Sequence, residues 1–470
     1  MNTSRIVLIE FNELSPYLLD KWVADGHLPN FRRLYERSAV FVTQADELVA
    51  PNLEPWIQWY SLHTGIEFQR HRVFRLTDGP RAQHDDIWRV LLRHGKRVGN
   101  LSSMNARGFS DEEGSFFFPD PWCTSERAYP NELNIFHRFV AQHVQEYSNP
   151  NSHFTPKDYA TFLKFLLQHG LRAKTIRAIL TQLFAERTKG RKEEVWKRAA
   201  LLDAMQFDVF KHYFDKCRPD FATFFANSTA HYQHAYWRCM EPEAFSIKPT
   251  AEEIRLYGDA VLFGYKRMDA LLRDFFELER EGVSLVLATG LSQQPFLRGE
   301  AEGGLNFYRL RNPARLLSEL GITFESVEPV MTQQYMVRFG AATGRAEEAA
   351  IRLATLRLEG KLLFEIDKRA DNTLYFGCQL HHFVGDDAIV DSGTQRLRFY
   401  ELLYRIDAVK SGGHHPDGAL WIQHEKHRVF AEKVSILDIF PTLLEMLGVP
   451  RSAERIRPGR SLLSSIESPS

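Results

Sequence analysis

Side chains able to hold a proton, a metal ion or an anion stand together at four places in this chain of 470 residues. Glu10, Asn12 and Glu13 close the apolar run Arg5 to Phe11 (RIVLIEF), and Glu54 stands directly before Pro55. His231 and His234 lie three residues apart, and His414 and His415 follow Gly412-Gly413. His231, His234 and His414 offer three imidazoles, the ligand number of a catalytic zinc that keeps one position open. Glu10, Glu13 or Glu54 could complete that set or act as a general base. The cofactor such donors imply is at most one divalent metal, zinc or manganese, and the residues also allow none. Glu54 has a second attraction: a carboxylate where a helix begins is stabilised by the helix N-terminus, which lowers its pKa unless burial opposes. It could serve as nucleophile or base.

Each of these residues also has a plainer use. Asn12 could cap a turn after the first strand, and Glu54 could be a helix-entry residue only. His231 has aromatic neighbours that suit packing, and His415 falls in a turn that suits exposure. Glu10 alternates away from Glu13 along the strand, so at least one of the carboxylates is expected in solvent. Arg72 could bind a substrate anion or pair with an acidic side chain. Trp56, Trp59 and Tyr60 read as helix packing.

These residues need elements to bring them together. Arg5 to Phe11, Lys96 to Leu101, Asp220 to Ala226, Val283 to Thr289 and Gly418 to Gln423 read as strands. Pro29 opens an amphipathic helix (LPNFRRLYERS), and Pro55 another through Trp59 to His63. Ser435 to Leu447 reads as a helix stopped by Gly448 and Pro450. Strands alternating with helices predict an α/β fold, a mostly parallel sheet with helices on both faces. In such sheets the ligand crevice lies beyond the carboxyl ends of the strands, which is where the four polar stretches fall. Residues from about 150 to 215 read as a basic helical insertion (Arg172, Lys174, Arg177, Arg187, Lys189, Arg191, Lys192). Its charges imply a solvated face or contact with an acidic partner or polyanionic substrate. Residues from about 305 to 410 hold strand-like pieces around a helical stretch near Glu347 to Leu358, a smaller α+β cap.

Composition narrows the classes. A hydrophobic fraction of 44% supports a sizeable core. The net charge of −1 argues against nucleic acid as a partner and leaves only local patches for anionic surfaces. Four scattered cysteines form no CxxC pair. No stretch approaches a membrane span, and the start of the chain lacks a signal-peptide pattern, so a cytoplasmic location and a small-molecule substrate are expected.

In serial order the chain resembles the alkaline phosphatase superfamily, above all its type I phosphodiesterase and nucleotide pyrophosphatase branch. VLIEFNEL is similar to the opening strand, Gly26 to Phe31 to a GxLPN segment, and Trp59, Thr64-Gly65 and His71 to a W…TG…H segment. Ala230-His231-Tyr232-Gln233-His234 resembles DHxxH, Gly412 to Gly418 resembles GxHxPxG, and Asp438 to Gly448 resembles DIxPTLLxxLG. The resemblance implies an alkaline-phosphatase-like core over 1–304 and 411–470, with 150–215 as a helical insertion and 305–410 as an α+β cap. It also implies a two-metal phosphoester hydrolase, and here the residues depart from it. Asn12 stands where the family has its first Asp, Pro55 falls near the nucleophile, Ala230 replaces an Asp, and Leu287 to Ser292 carries no Asp-His pair. Only His234 and His414 match as ligands. Ser292 and Gln293, with Gln294, put neutral groups where the lost pair would stand; they could orient a polar substrate or satisfy a loop. Losing the carboxylates that offset metal charge removes a site rather than tuning it. The expectation is a divergent hydrolase or group-transfer enzyme for a small anionic or sugar-linked (phospho)ester, with a remodelled site of at most one metal. In it His234, His414, His231 and Glu10 hold the metal, Glu54 and Asn12 serve catalysis, and Arg72, Ser292, Gln293 and His415 bind substrate. The competing expectation is a catalytically inactive member that binds a ligand or partner.

Overall fold

The computed structural model describes residues 5–109, 114–123, 125–146, 154–330, 333–340, 344–393, 396–406, 410–450 and 457–468. The apolar run at the start of the chain becomes β1 (Arg5–Phe11), at the centre of a nine-stranded sheet. The sheet also contains β2 (Ser38–Gln44), β3 (Val98–Leu101), β4 (Phe116–Phe118), β5 (Phe221–Ala226) and β6 (Val283–Ala288). Its order is Arg428–Val429, β2, Asp417–Gln423, β6, β1, β5, β3, β4, with Val434–Ser435 beside β2. The pairings are parallel except those of Asp417–Gln423, which runs antiparallel to β2 and β6. This is the mostly parallel α/β sheet that the strand–helix alternation predicts. β2 and β4 were not among the predicted strands.

Alternation along β1 divides the core. Val7, Ile9 and Phe11 face a cluster that includes Phe207, Phe210, Phe224 and Phe275. Ile6 and Leu8 face the opposite cluster, which includes Trp59, Leu62, Trp88 and Phe440. The first face is covered by helices Ala199–Cys217 and Ala260–Glu279, the second by Pro55–Thr64, Ile87–Arg93 and Ile439–Met446. Pro55 occupies the first turn of its helix, where a missing N–H costs nothing, and Gly65 ends it in the left-handed region at φ 64°. The late helix is shorter than predicted: Ser435 ends a strand, Ile436–Asp438 is a 3-10 turn closed by a capping box, and the α-helix is Ile439–Met446.

The basic stretch forms helices Pro156–Gln168, Ala173–Lys189, Arg191–Glu194 and Ala199–Cys217, the last lying on the sheet. Between 308 and 403 a separate core gathers around Tyr308, Phe364, Phe376 and Phe399, beneath small antiparallel sheets. The predicted helix near Glu347 to Leu358 is Arg345–Leu353, followed by the short strand Arg357–Leu358. This region meets the segment after the Pro55 helix through Arg75, which donates to Gln334 and Asp367 at 3.0 Å each, and through Thr77 against Tyr375 at 2.8 Å. Among the described residues no helix is long and apolar enough to cross a membrane.

Candidate functional site

The strand ends place the site. Phe11 pairs with Ala226 and Glu10 with Ala288, so β1, β5 and β6 finish at one level. The Asn12 N–H then donates to Ala226 O and the Glu13 N–H to Thr289 O, each at 3.0 Å. Glu13 takes φ 61°, a left-handed conformation costly for a side chain with a Cβ. Asn12 is held on every side: Trp59 Nε1 donates to its Oδ1 at 2.7 Å, and its Nδ2 donates to Asn227 Oδ1 at 2.8 Å and Glu13 Oε1 at 2.9 Å. Trp59 reaches it because residue 290 is glycine: φ is +71°, and a Cβ there would lie 2.8 Å from the indole ring.

Glu13, His234 and His414 converge, with one ligand atom from each within 4.8 Å of the others. His234 Nε2 lies 3.2 Å and His414 Nε2 3.5 Å from Glu13 Oε2. Both rings turn Nδ1 to a backbone carbonyl, His234 to Gly412 O at 2.8 Å and His414 to Leu53 O at 2.9 Å. Nδ1 is therefore the protonated nitrogen in each, and Nε2 is left to face the carboxylate. Such carbonyl anchoring fixes the tautomer of metal-binding histidines. Burial pushes His414 down to about 3, against the opposing pull of Glu13. A neutral His414 would turn its Nε2 lone pair toward Glu13 Oε2, a repulsion that a cation between them would relieve. Burial would raise Glu13, but the imidazole charges of His234 and His414 and the hydrogen bonds of His234 and Gln293 outweigh it and hold Glu13 near 2. Two imidazoles and a carboxylate fit a zinc-type ion with an open position.

The surroundings sort the remaining candidates. Gln293 Nε2 donates to Glu13 Oε2 at 2.5 Å and Ala230 O at 3.1 Å, while its buried Oε1 has no hydrogen-bond partner among the described residues. It comes from β7 (Ser292–Pro295), paired antiparallel with Gly412–His415, so Gln293 and His414 are register partners. Gly412 is needed beside them, because a Cβ would stand 2.1 Å from Gln293 Oε1. Glu54 Oε2 lies 3.3 Å from His414 Nδ1. Burial pushes Glu54 up to about 8, with Lys410 opposing and Glu13 adding, although its side chain is still 25% exposed. Burial therefore overrides the helix N-terminus and favours the protonated acid, and the Glu54 side chain makes no cap.

Other candidates stand apart. Glu10 points to the opposite side of Glu13, fully buried, where His63 Nε2 approaches its Oε1 and Ser103 Oγ donates to its Oε2, each at 2.7 Å. The parity of β1 sends it there with Ile6 and Leu8, so Glu13, not Glu10, joins the histidines. His231 lies on the same helix as His234 but outside the converging group; burial, then the His234 charge, push it down to about 4. Arg72 is exposed at the left-handed end of helix Phe68–His71, over the Phe68 ring. Ser292 is buried as the strand partner of His415, whose Nδ1 accepts from the Asp417 N–H at 3.1 Å. Leu291 packs with Ala45 and Leu53 in a small apolar cluster. Asn227 and Lys410 were not singled out in the sequence. Asn227 follows β5 as Asn12 follows β1, and that parallel was a signal; Lys410 carried none.

No protein-family model matches the chain, and no curated protein matches it. Solved structures do. The chain is similar to phosphonoacetate hydrolase from Sinorhizobium meliloti 1021 in complex with phosphonoacetate, at 14% identity over 93% of this chain and 95% of that one, TM-score 0.43. It is similar to wild-type alkaline phosphatase PafA at 13% identity, over 98% of this chain and 99% of that one, TM-score 0.48. It is also similar to human ectonucleotide pyrophosphatase/phosphodiesterase 5, at 10% identity over 98% of each chain, TM-score 0.39. At these identities no residue's role carries from one chain to another.

Proposed function

We propose that this protein is a divergent member of the alkaline phosphatase superfamily, a hydrolase or group-transfer enzyme for a small anionic or sugar-linked phosphoester with a single-metal site. The observation that carries the reading is the convergence of His234 Nε2 and His414 Nε2 on Glu13 Oε2, with both Nδ1 atoms committed to carbonyls. Glu13, His234 and His414 would hold zinc or manganese, which supplies a Lewis acid with an open position for a substrate oxygen. Asn12 and Gln293 orient the Glu13 carboxylate from either side. Glu54, protonated beside His414, donates a proton to the leaving oxygen. Lys410, whose charge reaches both Glu54 and His414, offers attraction for the substrate anion. The apolar cluster of Leu291, Ala45 and Leu53 supports one metal rather than two, because it supplies no ligand where the second set would stand.

That cluster also favours a second reading, an inactive member that binds its ligand without turning it over. Metal content and turnover of small aryl phosphomonoesters and phosphodiesters separate the two. The enzyme reading expects bound metal and turnover, both lost in the His234→Ala, His414→Ala double variant. Bound metal without turnover across the esters favours the binding module, and metal-free protein contradicts the site itself.

A further inference from the structure

The basic helices between β4 and β5 carry a feature that charge alone did not reveal. Six large apolar side chains, Tyr159, Leu163, Leu167, Leu180, Leu183 and Phe184, are each more than half exposed on two consecutive helices. Their spacing is helical: Tyr159, Leu163 and Leu167 recur every four residues, and Leu180 stands three and four residues before Leu183 and Phe184. The first helix already uses its other face for packing, with Phe162 and Phe165 against Phe136 at 5.6 and 6.0 Å between ring centroids. It is apolar on two faces, one of them in water. A run of such side chains on consecutive helices marks an interaction surface.

The charge around them selects the partner. Residues 156–189 contain seven Lys and Arg against Asp158 and Glu186, on a chain whose net charge is −1. Part of this charge is used internally. Arg172 pairs with Asp208 and Asp274, Lys174 with Asp274, and Lys189 with Glu194 at 3.9 Å. Asp158 closes the capping box of the first helix, and Glu186 binds Arg198. Lys157, Lys164, Arg177 and Arg187 are exposed, and among the described residues no ion pair is seen for any of them. Arg177 and Arg187 bracket Leu180 to Phe184 along their helix, and Lys157 and Lys164 lie among Tyr159, Leu163 and Leu167. Like charges oppose pairing of this face with a second copy of itself.

We propose that this helical pair docks the protein on an anionic membrane surface. Leu180, Leu183, Phe184 and the first helix's apolar row enter the boundary of the acyl chains, while the four cations reach lipid phosphate and carboxylate groups on their flexible stems. Exposed apolar side chains at helical spacing suit a fluid layer they can enter better than a preformed groove.

Flotation of the full-length protein with phosphatidylserine–phosphatidylcholine vesicles, and with pure phosphatidylcholine vesicles, tests this. The expected result is binding to the anionic vesicles, at least about tenfold weaker binding to the neutral ones, and weakening with salt. Leu180→Ser with Phe184→Ser, and separately Lys164→Glu with Arg177→Glu, each reduce binding to anionic vesicles by about tenfold or more. These positions are exposed, and an unchanged melting temperature checks that the variants fold. Failure to bind anionic vesicles overturns the proposal, as does equal binding by wild type and both variants. A dimer in lipid-free solution that Leu180→Ser with Phe184→Ser abolishes overturns it in favour of a second copy. Binding to soluble acidic polypeptide without binding to vesicles overturns it in favour of a protein partner.

Discussion

Replacing Glu13 by Gln separates the charge of the site from its shape. Glu13 accepts at Oε1 from Asn12 Nδ2 at 2.9 Å and at Oε2 from Gln293 Nε2 at 2.5 Å. A carboxamide has one oxygen, so one of these donors must face an NH2 group. Leaving a buried donor unmatched costs about 1–3 kcal/mol, and the metal-free variant should lose about that much stability in denaturant titration. Its larger effect is on metal binding. Second-shell changes at metal sites weaken affinity about 10–100-fold; loss of the only carboxylate among three ligands should exceed that, a fall of at least about 100-fold. The two effects separate in one calorimetric assay, with and without zinc or manganese. At metal about 100-fold above its Kd, linkage stabilises a protein by about 2.7 kcal/mol. Wild type should show a stabilisation of that order, and Glu13→Gln almost none at the same concentration. Equal metal-induced stabilisation of both proteins would refute the assignment of Glu13 as a ligand.

Three further outcomes follow from the geometry. Glu54→Gln keeps the shape of the proton donor without its proton, so turnover should fall about 10²–10⁴-fold while metal content stays unchanged; loss of metal would place Glu54 among the ligands instead. Gly290→Ala puts a Cβ 2.8 Å from the Trp59 ring at φ +71°, and should destabilise the protein by about 1–3 kcal/mol and weaken metal binding through Asn12; unchanged stability would show that the Trp59–Asn12 contact is not built on this glycine. His71 accepts the Val73 N–H at Nδ1 at 2.9 Å, and burial, then His84 and Arg72, push it down to about 3. The unfolded chain takes up that proton first, near pH 6.5. The stability it protects is therefore complete above pH 6.5 and falls by about 1.4 kcal/mol per unit as pH drops toward 3. His71→Gln should flatten that part of the stability profile, and an unaltered slope would contradict it.

Much of the scaffold was legible because it depends on periodicity. RIVLIEF could be only a buried strand, and Pro29 and Pro55 open the helices they predict. His234 and His414 were legible as a pair, since one follows β5 and the other precedes the strand Asp417–Gln423 at the same sheet edge. The choice between Glu10 and Glu13 was harder. Alternation does send Glu10 beneath the Pro55 helix, but Glu13 reaches the histidines only through a left-handed φ that a non-glycine residue does not announce. For Glu54 the sequence left two opposing effects, helix end and burial, and only the tertiary structure shows that burial outweighs the helix end. Lys410 and the role of Trp59 behind Asn12 depend on contacts between segments far apart in sequence, and no local pattern encodes them. The six exposed apolar side chains could be located in the sequence, but only packing shows that they stay in water.

The central claim is that His234, His414 and Glu13 form a metal site. Metal content of the purified full-length protein, measured by inductively coupled plasma mass spectrometry after growth with zinc and manganese, tests it most directly. The account predicts about one equivalent of one of these ions in wild type and its loss in the His234→Ala, His414→Ala double variant. Wild-type protein that is folded and metal-free after such growth, or a double variant that retains the full equivalent, would contradict it.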